Sequence, residues 1–225
     1  MKTMLFQGDS ITDSGRSKEE RYFDNIGNGY PLLVKAELGY RFPEQFYFQN
    51  RGISGNRVVD LYARIKADII NLKPDYLSIL VGVNDVLHEV CGAHNGVDAE
   101  KYEKIYSMLI EEIKNALPEI SILILEPFVL EASSTQSRET DPNRWENISL
   151  EVRKRAEKAR KIAEKYNLIF VPLQEKFDEV SKNTEPSYWL KDGVHPTAMG
   201  NMVIKEAWMK AFYGMQNLNG IDNHK

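Results

Sequence analysis

The chain has 225 residues, of which 42% are hydrophobic and 28% charged, with a formal net charge of -4. That is enough chain to bury a sizeable core, and the composition is that of a globular protein rather than a disordered or fibrous one. Interspersed charge with a slight acidic excess argues against nucleic acid or an anionic membrane surface as the main partner. The single cysteine, Cys91, excludes an intramolecular disulfide. The opening "MKTMLFQGDS" has too short an apolar run for a signal peptide, and no stretch approaches the length of a membrane span. A cytoplasmic location is therefore expected, and homo-oligomerisation is left open.

Five short apolar runs read as strands: "TMLFQG" (3–8), "FYFQN" (46–50), "YLSILVGVN" (76–84), "SILILEPF" (121–128) and "LIFVPL" (168–173). Continuous apolar runs of this length suit strands covered on both faces. Helical patterns lie between them. Residues 57–72 follow Asn56 as a candidate N-cap. Residues 99–117 carry Tyr102, Ile105, Leu109 and Ile113 on one stripe and stop before Pro118. Residues 142–166 begin with Asp141 as N-cap and Pro142 at the first position. A last helix follows Thr197 and runs to about Phe212. No internal repeat or low-complexity linker interrupts this alternation, so residues 1–225 are expected to form one domain: a three-layer α/β/α sandwich on a parallel sheet. In such sheets, sites form beyond the carboxyl ends of the strands.

The unusual residues fall there. "GDSIT" at 8–12 ends the first strand on Ser10, and this Gly-Asp-Ser also reads as a plain turn cap. "NRGISGN" at 50–56 puts two glycines after the second strand, as a turn or as a presenter of backbone N–H groups. "VGVND" at 81–85 offers the side-chain amide of Asn84 after the third. "DGVHP" at 192–196 places Asp192 three residues before His195, a spacing that lets the carboxylate orient the ring from Nδ1 and leave Nε2 free. Taken alone, His195 reads equally well as a buried structural histidine. Each block is weak by itself, but a parallel sheet would bring all four to one rim.

In this order the blocks "GDSIT", "GISGN", "GVND" and "DGVHP" resemble those of the SGNH hydrolases, a branch of the GDSL esterases and lipases. The resemblance spans nearly the whole chain. It implies a flavodoxin-like sandwich with a five-stranded parallel sheet, and Ser10 as nucleophile, His195 as general base and Asp192 as its orienter. It also implies an oxyanion hole made of the Ser10 and Gly55 backbone N–H groups and the Asn84 side chain. No metal or other cofactor is implied. Within the family, "GDSITDSGR", "GNGY" at 27–30, "NRGISGNRVVDL", "KPDYLSILVGVNDV", "EPF" at 126–128 and a tryptophan before the Asp are similar to intracellular acetylxylan esterases and related carbohydrate O-deacetylases.

Segments 13–28, 86–98 and 129–141, which would wall the site, are polar and charged. They suit a small acetyl ester on a sugar better than a long acyl chain, which would want an apolar groove. Asp9, Tyr22, Phe23, Arg57, His88 and Trp189 are the expected substrate contacts, with ordinary packing or surface exposure as the competing explanation for each. His88, Cys91 and His94 share metal-ligand spacing but lack a matching second half, and no metal is expected. A short-chain thioesterase or lysophospholipase would use the same catalytic groups. A carbohydrate-binding scaffold on an inactive hydrolase fold would lack one of them.

Overall fold

The computed structural model describes residues 1–19 and 25–218, with side chains to 215. Five strands, β1 (Lys2–Gly8), β2 (Phe46–Asn50), β3 (Tyr76–Leu80), β4 (Ser121–Leu125) and β5 (Ile169–Val171), form one sheet in the order β2-β1-β3-β4-β5. Every pairing is parallel. Alternate residues of the central strands enter different cores. Met4, Phe6, Leu80, Leu123 and Leu125 face one apolar cluster, whereas Leu5, Leu77, Ile79, Ile122 and Ile124 face the other.

On the first face lie α2 (Tyr30–Arg41), α8 (Gln174–Val180) and the long α10 (Ala198–Leu218). Trp208 of α10 is fully buried, stacks on Phe212, packs against Phe6 and donates its indole N–H to Ser78 Oγ at 3.0 Å. On the second face lie α3 (Val58–Ala63), α4 (Ile65–Asp68) and α6 (Ala99–Ala116). The 22-residue α7 (Arg144–Lys165) serves both: Ile148 and Val152 enter the first core, and Ala159, Ile162 and Ala163 the second. These are the three layers expected. Among the described residues no helix is long and apolar enough to cross a membrane.

Several expected boundaries move. β3 stops at Leu80 rather than residue 84, because Gly82 turns at φ +140° into the short α5 (Val83–His88). β4 and β5 are also shorter than their apolar runs. At β2, an edge of the sheet, the expectation of strands covered on both faces fails: Phe46 and Phe48 pack on the first core, but Tyr47 on the other face is 46% exposed. The helix expected over 57–72 breaks at Arg64 into α3, α4 and a 3-10 turn at Ile70–Leu72. Its N-cap is Arg57 rather than Asn56, because Asp60 reaches back to the Arg57 backbone N–H at 2.8 Å. α7 starts two residues late, with Asn143 at its N-cap, because Asp141 exchanges backbone hydrogen bonds with Arg138 instead.

Candidate active site

The carboxyl ends of β1 and β3, the loop after β2 and the loop before α10 meet on one rim. At the end of β1 the chain turns so tightly that a Cβ on Gly8 would lie 2.3 Å from the Leu80 carbonyl oxygen and 2.5 Å from Thr12 Oγ1. The turn opens α1 (Ser10–Asp13), capped by Asp9 Oδ1, which accepts from the Ile11 N–H at 2.9 Å. Ser10 thereby stands half-buried at the first helical position.

Its Oγ lies 2.9 Å from His195 Nε2. His195 Nδ1 lies 2.7 Å from Asp192 Oδ2, and Asp192 Oδ1 accepts from the backbone N–H groups of Val194 and His195 at 3.0 and 2.8 Å. The loop carrying both residues is braced twice from outside and once across itself. Leu130 N–H donates to the Gly193 carbonyl, Ser134 N–H to the Asp192 carbonyl and Lys191 N–H to the His195 carbonyl. Burial alone would raise the Asp192 carboxyl. The three hydrogen bonds from His195 and Val194 outweigh it and hold the group well below the usual carboxylate range. An ionised Asp192 can fix the imidazole tautomer and stabilise an imidazolium, and Nε2 is then free to take a proton from Ser10.

The loop after β2 is fastened from two sides. Asp13 Oδ2 accepts from Ser54 N–H and Ser54 Oγ at 3.0 and 2.8 Å. On the other side Asn84 Nδ2 donates to the Asn56 carbonyl at 3.1 Å, and the Asp85 carboxyl accepts from Val58 N–H at 3.1 and 3.3 Å. Gly55 lies between these fastenings at φ +82°, a backbone that glycine adopts without a Cβ penalty. The Asn84 amide has a second N–H beyond the one given to Asn56. The arrangement thus offers a hydroxyl with an imidazole nitrogen against it.

The expected substrate contacts fare differently. Asp9 is 1% exposed and caps α1, so it has no surface to offer a sugar, and that expectation is corrected. Tyr22 and Phe23 lie outside the described residues. Arg57 is half-buried, pairs with Asp60 at 2.9 Å and donates to the Asn95 carbonyl, which ties the loop after α5 to the start of α3. His88 ends α5 with a buried, unpartnered Nδ1. Trp189 ends α9 (Pro186–Trp189) and lines an apolar groove along α10 with Val180, Met199, Met202 and Val203. Among the described residues no group of three or more His, Cys, Asp or Glu is placed to hold a metal ion. Cys91 Sγ instead accepts from the Arg144 guanidinium at 3.1 Å.

Three residues with structural roles at the site had no role assigned from sequence. Asp13 directly follows "GDSIT", Asp85 ends "VGVND", and the two fasten the loop from opposite sides. Asn50 accepts from Gly52 N–H at 2.9 Å and donates to the Thr12 and Ile26 carbonyls at 2.6 and 2.8 Å.

Residues 6–203 match the model of the GDSL-like lipase/acylhydrolase family. The chain belongs to that family. It is 35% identical to an acetylxylan esterase of Geobacillus stearothermophilus over 213 residues, 92% of each chain. The crystal structure of the Geobacillus stearothermophilus acetylxylan esterase superimposes with a TM-score of 0.80 at 34% identity, covering 93% of each chain. A Parabacteroides merdae protein described as a GDSL-like lipase gives a TM-score of 0.86 at 36% identity, covering 93% of this chain and 94% of that one. A further hydrolase, from the metagenome of Lake Arreo, gives 0.81 at 32% identity, with 93% and 94% covered. This member of the GDSL family is accordingly a carboxylic ester hydrolase.

Proposed function

We propose that this esterase removes acetyl groups from a small O-acetylated carbohydrate, with xylo-oligosaccharides the first class to test, through a Ser10–His195–Asp192 triad carried on a single hydrolase domain. The observation that carries the catalytic assignment is the unbroken line Ser10 Oγ, His195 Nε2, His195 Nδ1, Asp192 Oδ2, with contacts of 2.9 and 2.7 Å. The likeness to an acetylxylan esterase over 92% of both chains supports the substrate class.

His195 Nε2 takes the Ser10 hydroxyl proton as Oγ attacks the acetyl carbonyl carbon. The carbonyl electron pair moves to oxygen, and the oxyanion is received by the N–H groups of Ser10 and Gly55 and by the free N–H of Asn84. Collapse breaks the bond to the sugar oxygen, which leaves with the proton from His195. Water then attacks the acetyl-serine, gives its proton to the same nitrogen, and acetate departs as the proton returns to Ser10. Asp192 stays ionised throughout and stabilises the imidazolium. Each oxyanion donor supplies about 2.7–4 kcal/mol of the barrier reduction.

Hydrolysis of aryl esters from acetate to octanoate tests the acyl preference, with Ser10→Ala as control. Acetate is the expected optimum, lost in the variant, followed by acetate release from acetylated xylo-oligosaccharides. A preference for longer chains would move the substrate to lipids or thioesters. Ser10→Ala with most of its activity intact would overturn the triad.

A further inference from the structure

Asp85 is fully buried and sits one residue after Asn84, at the start of α5. Its carboxyl accepts from the Val58 N–H at 3.1 and 3.3 Å. Val58 is the first residue of α3, itself fully buried, so this N–H is one of the donors a helix start leaves without an intrahelical partner. Next to that bond, Asn84 Nδ2 donates to the Asn56 carbonyl at 3.1 Å. Two neighbouring side chains on α5 therefore grip the backbone on either side of Arg57, and Gly55 immediately precedes the grip. The Asp85 backbone carbonyl also accepts from Val97 N–H at 2.8 Å, which fastens the far end of the loop after α5.

We infer that Asp85 is a positioning residue for the esterase reaction: by holding the Val58 N–H it sets the Gly55 loop against the Asn84 amide, so that the two donors converge on one oxyanion. This rests on the oxyanion hole proposed above. The chemistry fits the residue type. A buried helix-start N–H needs an acceptor, because it has lost water and has no carbonyl of its own helix to bond. A carboxyl group supplies that acceptor whether it is ionised or protonated. Burial pushes Asp85 up to about 7 against the pull of the Val58 N–H and Arg155, with nearby Asp9 adding to the rise. A misplacement of about 1 Å in a donor around the reacting atoms is enough to cost on the order of 10²-fold in rate.

The bond can be broken from either end. Asp85→Ala removes the acceptor. Val58→Pro removes the donor and puts a ring methylene where the N–H pointed, so the carboxyl must turn away from it. The backbone accommodates it, because proline is favoured at the first helical position, and Arg57, at φ -107° and ψ 174°, is already in the region required before proline. Asp85→Asn keeps an oxygen for the same N–H. With circular dichroism to select folded variants, kcat and KM are measured on an aryl acetate beside the wild type and Ser10→Ala.

Asp85→Ala and Val58→Pro should each lower kcat about 10–100-fold with KM within about threefold. Asp85→Asn should stay within about threefold of wild type. The double variant should be no worse than the poorer single one, since both remove one contact. Because the singles break the same bond from opposite ends, either folded one decides the matter. A lowered Tm with unchanged kcat, or Asp85→Asn as impaired as Asp85→Ala, would overturn the positioning role. Retained activity in Ser10→Ala would instead strike the triad itself, so the two failures are told apart.

Discussion

Ser10 and His195, 185 positions apart in sequence, sit with Oγ and Nε2 2.9 Å apart. Nothing local joins them. Ser10 is placed by the tight turn at Gly8, and His195 by a loop braced through Gly193 and Asp192 to the segment after β4. The parallel sheet brings both to its carboxyl rim.

Replacing Asp192 should disable the base without dissolving the fold. Asp192→Asn keeps the size of the side chain, but it cannot hold the imidazole in the tautomer that leaves Nε2 unprotonated. Steady-state hydrolysis of an aryl acetate is expected to show kcat lowered by about 10³–10⁴, with circular dichroism unchanged.

Asn84→Ala removes a proposed oxyanion donor and the bond to the Asn56 carbonyl. A loss of about 10²–10³ in kcat is expected, with a much smaller change in KM. An equal fall in substrate affinity would mean that the amide binds the ground state.

Asp9 gives a stability prediction with a definite sign. Burial pushes its carboxyl up to about 7, only partly offset by the Ile11 N–H and by nearby His195, and its Oδ2 is buried without a partner. In an acid whose folded pKa is raised, the stabilising contribution is complete below the unfolded value, near 3.9, and is lost as pH rises through the folded value. The window is therefore about pH 4 to 7, and the charged form is the costly one above it. Asp9→Asn keeps an acceptor for the Ile11 N–H and carries no charge. Its Tm relative to wild type is expected to be more favourable at pH 8.5 than at pH 5 in thermal melts. A pH-independent difference would refute the raised value.

Trp208→Ala should be among the most damaging single changes in the core. It empties the space beside Phe6 and Phe212 and removes the indole N–H from the Ser78 hydroxyl. A loss of about 3–5 kcal/mol is expected from chemical denaturation.

The sheet and the blocks on its rim were legible because their signals are local. β2 carries the expected bounds, and the other strands fall inside or within a residue of their apolar runs. The misjudged stretches have physical reasons. "VGVND" is as apolar as a strand, and only the backbone turn at Gly82 makes it a helix start. α2, "YPLLVKAELGYR", mixes Gly39 and charged residues into its pattern and carries little periodicity. Asp9 adjoins Ser10 in sequence, yet the turn that leaves the serine half-buried buries its neighbour. The roles of Asp13 and Asp85 depend on backbone N–H groups 41 and 27 residues away, which no local pattern encodes.

If Ser10 is the nucleophile, covalent labelling will single it out. The protein is treated with an aryl organophosphonate that traps serine nucleophiles, and the modified residue is mapped by peptide mass spectrometry while esterase activity is followed. Label is expected on Ser10 alone, with activity lost in proportion to labelling and no label in Ser10→Ala or His195→Ala. Label on another residue, or full activity with Ser10 modified, would contradict it.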